Sequence, residues 1–189
     1  MKKLWFLPLA FILVFSLSAC TEDVSVGSSS SDSSAASSSK APKEKIHKQA
    51  KLNFSNTSAQ QTTKVDSAEI RDVTDLNLVD NEFDQVKYAL LVHMSVSNKA
   101  PDAASTYPSQ GHVVLADGTQ IEGLVGADVN IDDAFKDGEI ANGATVSGYV
   151  VFPLKEDQAE KFTKGSFKFS VLAGDEMFTE KNYTVDMAF

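Results

Sequence analysis

Apolar and polar residues alternate along Tyr88–Val96. Tyr88, Leu90, Val92, Met94 and Val96 fall on one side, and Ala89, Leu91, His93 and Ser95 on the other. Successive side chains of a strand point to opposite faces, so this run predicts a strand with one core face and one partly polar face. Val146, Gly148, Val150 and Phe152 repeat the pattern, and Phe167, Phe169 and Val171 alternate with Lys168 and Ser170. Val113–Leu115 and Gln120–Ile121 flank Ala116–Thr119, where Asp117-Gly118 supplies a hairpin turn. A turn at Ala173-Gly174-Asp175 leads into a last strand through Phe178, Tyr183 and Val185. Weaker strand signals cover Leu52 and Phe54, then Val65 to Val79. One short helix is expected over Lys155–Phe162. About seven short strands separated by turns predict an all-β, antiparallel sandwich.

The pattern changes toward the N-terminus. Lys2 and Lys3 precede an apolar run from Leu4 to Phe15, interrupted only by Pro8 and followed by the small residues Ser16, Ser18 and Ala19. Charged, apolar and small segments in that order predict a secretory signal over residues 1–19. Leu4–Ala19 falls short of the ~20 apolar residues that span a bilayer. Leu17-Ser18-Ala19-Cys20 resembles the lipobox of bacterial lipoproteins. That resemblance implies cleavage before Cys20 and a diacylglycerol on its sulfur, giving a membrane anchor through diacylglyceryl-Cys20. Two acyl chains hold a protein on a membrane where one binds only marginally.

Residues 20–47 read as a tether. Ten of the twenty residues from Thr21 to Lys40 are serine, too few apolar groups to offset the entropy of ordering them. A flexible chain of about 25 residues has a root-mean-square span of roughly 25–30 Å. The folded domain is expected over residues 48–189.

A resemblance sharpens the architecture. Tyr88–Asn98 (YALLVHMSVSN), followed by a polar connection and then Asp137–Leu154 (DGEIANGATVSGYVVFPL), is similar to the telokin-like, immunoglobulin-like domain of unknown function found in Gram-positive lipoproteins. There a long strand ends in Asn, and a Gly-Glu-Ile-x-x-Gly element leads into a Gly-Tyr-Val-Val-Phe strand. The resemblance covers roughly Val65–Phe189 and implies an immunoglobulin-like β-sandwich with no established catalytic residue.

Composition narrows the chemistry. Hydrophobic residues make up 42% of the 189 residues, and 17 basic face 26 acidic side chains for a net charge of −9. Nucleic-acid binding needs a basic face, so no nucleic-acid partner is expected. One cysteine excludes a disulfide framework and a multi-cysteine zinc site. Once Cys20 carries lipid, no thiol remains for catalysis. His47, His93 and His112 are too scattered to predict a zinc site, which needs three or four clustered ligands. No Gly-x-Ser-x-Gly elbow marks a hydrolase. No catalytic, cofactor or metal residue is therefore expected, and the chain reads as a non-enzyme.

Two segments stand out. Asp128, Asn130, Asp132 and Glu139 occupy positions 1, 3, 5 and 12 of a calcium-loop pattern, although Asp133 stands where the sharp turn requires Gly. The Lys99–Gln110 segment is long for a simple connection and carries Tyr107 beside Pro108, a candidate recognition aromatic. Asn53, Asn56 and Asn182 head Asn-x-Ser/Thr triplets, which have no reader on a bacterial lipoprotein. The expected function is a lipid-anchored module on the outer face of the cell membrane that binds an envelope or surface protein. The alternative is a small-ligand or Ca²⁺-binding accessory protein using residues 128–139.

Overall fold

The computed structural model describes residues 46–76, 78, 86–125, 131–174 and 179–189. Ten strands and one helix follow in chain order: β1 (His47–Ser58), β2 (Gln61–Asp72), β3 (Tyr88–Asn98), β4 (Ala104–Thr106), β5 (His112–Leu115), β6 (Gln120–Glu122), β7 (Gly138–Ile140), β8 (Thr145–Leu154), α1 (Glu156–Lys161), β9 (Lys164–Ala173) and β10 (Thr179–Ala188). They form two antiparallel sheets. One has the order β1-β2-β3-β8; the other runs β6-β5-β9-β4-β7, with β10 on the remaining edge of β9.

The alternating patterns dictate this arrangement. Leu90, Val92, Met94 and Val96 of β3 and Val150 and Phe152 of β8 face Phe167, Phe169 and Val171 of β9 across the interior. Phe152 and Phe167 meet edge to face with ring centroids 5.3 Å apart, joining the sheets at the centre of the core. Phe54 and Tyr183, at 5.4 Å, close the side where β1 approaches β10. Such aromatic pairs add roughly 0.5–1.5 kcal/mol beyond their burial.

The strand number corrects the sequence expectation of about seven. β1 and β2 are longer and more polar than expected, and β4 and β7 have three residues each, too few to show a period. The second face of β3 also differs. Ala89 and Leu91 are fully buried beneath Val73, Leu78 and Val151, a small cluster outside the main core. The connection after β2 and the segment around Leu124 and Ile131 cover this face. The Lys155–Phe162 helix is present as α1, with the side chain of Lys48 donating to the carbonyls of Glu160 (2.7 Å) and Phe162 (2.9 Å) at its C-terminal end. That cation satisfies carbonyls the helix leaves free. Phe178 and Asp175 of the expected final turn and strand, and Val79, lie outside the described residues.

The polar elements carrying the family resemblance perform structural work. Asn98 is fully buried at the end of β3. Its side-chain NH₂ donates to the carbonyls of Asp102 (2.7 Å) and Ile140 (2.9 Å), and its Oδ1 accepts from the Ala100 N–H (3.0 Å). Its main-chain carbonyl accepts from Gly143 at 2.8 Å. Gly143 has φ +75°, which the tight turn after Gly138-Glu139-Ile140 requires and glycine adopts without penalty. Gly148 serves a different need. A Cβ there would lie 2.7 Å from the Phe135 nitrogen and 2.8 Å from the Ala134 carbonyl carbon, so only glycine lets the 133–135 backbone cross β8 this closely.

Candidate functional site

The crossing segment builds one wall of a surface cleft. Asp133 accepts the Tyr149 N–H at 2.8 Å, Phe135 donates to the Tyr149 carbonyl at 2.9 Å, and Leu124 donates to Val151 at 2.8 Å. These bonds fasten residues 124 and 133–135 along the outer edge of β8. On the opposite side, the Pro108–Gln110 turn that follows β4 projects Tyr107. Between them lies a cleft of about 1130 Å³ lined by Tyr107, Ser109, Val125, Asp133, Asp137 and Ser147, among others.

Tyr107 and Val125 are 42% and 62% exposed, the large hydrophobic residues left open to solvent among the described residues. Both line this cleft. The Lys99–Gln110 segment is thus partly ordered as β4 and a 3₁₀ turn, and it presents the aromatic that its sequence singled out.

In the same cleft, the Ser109 hydroxyl donates to Asp137 Oδ2, and the Ser109 N–H donates to Oδ1 at 3.4 Å. Burial pushes the Asp137 carboxyl above the usual carboxylate range, opposed in part by these two donors. Ser109 is itself buried, so the pair ties two irregular segments together and does not present a nucleophile to solvent. Nothing in the sequence signals it: the residues are 28 positions apart, in segments with no period.

The other candidates are dispersed. His93 Nδ1 lies 2.8 Å from Asp66 Oδ1, and its ring meets Tyr149 edge-on at 5.0 Å. The register of β2 shifts between Val65 and Ser67, and this bulge at Asp66 accompanies the contact with His93. His47 is paired with Glu69 at 3.6 Å, and His112 lies half-buried on β5. No three His, Cys, Asp or Glu side chains converge as a metal site among the described residues.

Asp128 and Asn130 of the calcium-loop pattern lie outside the described residues. Asp133 adopts φ +60°, the turn conformation that position demands, supplied here by Asp where Gly was required. Asp132 is exposed, Asp137 is committed to Ser109, and Glu139 is exposed on β7. Among the Asn-x-Ser/Thr residues, Asn56 accepts from the Tyr183 hydroxyl at 3.2 Å, while Asn53 and Asn182 are exposed strand residues. Cys20 and the rest of residues 1–45 lie outside the described residues. No helix among the described residues is long and apolar enough to cross a membrane.

Comparisons with known proteins agree on the fold. A functionally unknown protein from Listeria monocytogenes EGD-e aligns with a TM-score of 0.52 at 14% identity, covering 74% of this chain and 84% of that one. The yjhA protein from Bacillus subtilis aligns with a TM-score of 0.51 at 10% identity, covering 71% and 97%. No curated protein matches the sequence. A family model described as a domain of unknown function, DUF4352, matches residues 44–172. That span holds β3, the Asn98 bonds, the Gly138–Gly143 turn and both walls of the cleft, and the chain belongs to the DUF4352 family.

Proposed function

We propose that this chain is a lipid-anchored lipoprotein of the Gram-positive type, facing the extracellular side, whose sandwich is a non-catalytic module for an envelope or surface protein. The observation that carries the reading is the placement of Tyr107 and Val125 in one cleft, although they come from separate connections. Exposed apolar side chains gathered at one place mark contact surfaces, and aromatic anchors supply much of the energy at protein interfaces. The leader, the Leu17-Ser18-Ala19-Cys20 motif and the serine-rich tether support the anchor. Confinement at a membrane raises local concentration, so a modest contact area suffices.

The calcium reading has less support, because of its four ligands Asp132 and Glu139 are the described ones and no three His, Cys, Asp or Glu side chains converge among the described residues. The test is cross-linking in intact cells followed by purification of the lipidated protein. A discrete partner should be recovered with the native chain and lost with Tyr107→Ala. Recovery of the same partner with both, or stabilisation by millimolar Ca²⁺ with no partner, would reverse the assignment.

A further inference from the structure

The cleft contains an open sheet edge. β8 is the last strand of its sheet, paired with β3 along one side and, on the other, with a single parallel bridge between Ala134 and Tyr149. The Tyr149 N–H and C=O and the Val151 C=O point away from β3, since they bond to Asp133, Phe135 and Leu124. Backbone direction along a strand repeats every second residue, so the main-chain groups of Ser147 and Thr145 point the same way. Among the described residues, the cover stops before them. The Ile131 carbonyl turns back to accept from Ala134, and neither Thr145 nor Ser147 has a backbone partner on this edge among the described residues. Both are exposed and both line the cleft that holds Tyr107 and Val125. At the other end of β8, Pro153 has no N–H to offer, which confines the open edge to this stretch.

The surroundings specify the occupant. Asp133 and Asp137 line the cleft, Asp132 and Glu139 flank them in the chain, and Lys136 is the cation among them. On a chain of net charge −9, this disfavours a second copy and favours a cationic segment. Main-chain bonds to the edge give affinity, and alternate side chains reach one wall or the other.

We propose that Thr145–Ser147 receives an extended, basic segment of the partner protein by strand addition, with its apolar side chains against Tyr107 and Val125. This rests on the partner-module reading and names the chemistry of the partner.

The experiment uses the lipidated chain in nanodiscs, hydrogen exchange, and two probes: acetyl-(Lys-Val)₄-amide and acetyl-(Glu-Val)₄-amide. The lysine peptide should slow exchange at residues 145–147 at least tenfold, the glutamate peptide should not, and Ser147→Pro should abolish the effect. If that variant does not fold, exchange at Ser147 in the native chain decides. Equal protection by both peptides, protection confined elsewhere, none at millimolar peptide, or protection that rises with protein concentration alone would each overturn strand addition. A partner that cross-links through Tyr107 while exchange at Ser147 stays unchanged would overturn strand addition and leave the module reading standing. Loss of both would remove both.

Discussion

The side-chain amide of Asn98 donates to the carbonyl of Ile140, 2.9 Å away and 42 residues further along the chain. Through this bond, the end of β3 holds the turn that starts β8, and β8 forms the floor of the cleft. Asn98→Ala would leave the Ile140 and Asp102 carbonyls and the Ala100 N–H without their partner. Each buried orphan costs about 1–3 kcal/mol. The Ile140 and Ala100 bonds are buried and the Asp102 bond is half-buried, so a loss of about 2–6 kcal/mol in urea unfolding is expected, together with faster exchange of the Ala100 amide. An unchanged midpoint would show that water replaces these bonds without penalty.

Gly148 gives a second stability prediction. Gly148→Ala forces the 133–135 backbone away from β8, where the nearest atoms are main chain and cannot rotate aside. A cost of about 2–3 kcal/mol is expected, within the range for forced overpacking. Exchange at the Tyr149 amide should rise at the same time, because its acceptor is the Asp133 carbonyl. Destabilisation with the Tyr149 amide still protected would place the strain elsewhere.

The β1–β2 turn offers a gain. Ala59 and Gln60 have φ +46° and +61°, a backbone that non-glycine residues adopt at a cost of about 1–2 kcal/mol. Gln60 is exposed, and its carbonyl accepts from the Lys99 N–H at 3.0 Å, a bond glycine retains. Gln60→Gly should stabilise the fold by about 1 kcal/mol in thermal or urea unfolding.

Asp137 makes stability depend on pH. Burial raises its carboxyl above the ordinary value, so the folded chain holds that proton more tightly than the unfolded chain. The resulting stabilisation is complete below the ordinary carboxylate pKa and is lost as pH rises through the raised value. Asp137→Asn keeps an acceptor for Ser109 without the charge. The variant should be more stable than the native chain at neutral pH, with the difference shrinking as pH falls through the raised value and levelling off below about pH 4, near the ordinary Asp value. A difference that does not vary with pH would exclude titration of Asp137 as its source.

Metabolic labelling with a fatty acid tests the anchor separately. Label should attach to the native chain and disappear with Cys20→Ala. Persistent label on the variant would contradict lipidation at Cys20.

Legibility in the sequence followed the length of the periodic runs. Along β3, β8 and β9, alternation over Tyr88–Val96, Val146–Phe152 and Phe167–Val171 marked the core faces, and Asp117-Gly118 marked its hairpin. Three-residue β4 and β7 had no period to read. Burial of Ala89 and Leu91 was hidden because their cover comes from irregular connections distant in sequence. Tyr107 was visible as an aromatic in a long polar segment. Its companions were not, since Val125, Ser109 and Asp137 come from separate irregular segments that line one cleft only in the folded chain. The Asn and Gly residues of the family resemblance marked the scaffold of the cleft, and their bonds explain why those residue types stand there.

The most direct test of the central claim is site-specific photo-cross-linking in intact cells. A photoreactive residue replaces Tyr107 in one strain and Asp117, at the exposed hairpin turn, in another. The account predicts a discrete protein adduct from position 107 that is absent from position 117. Equal adducts from both positions, or none from position 107, would contradict it.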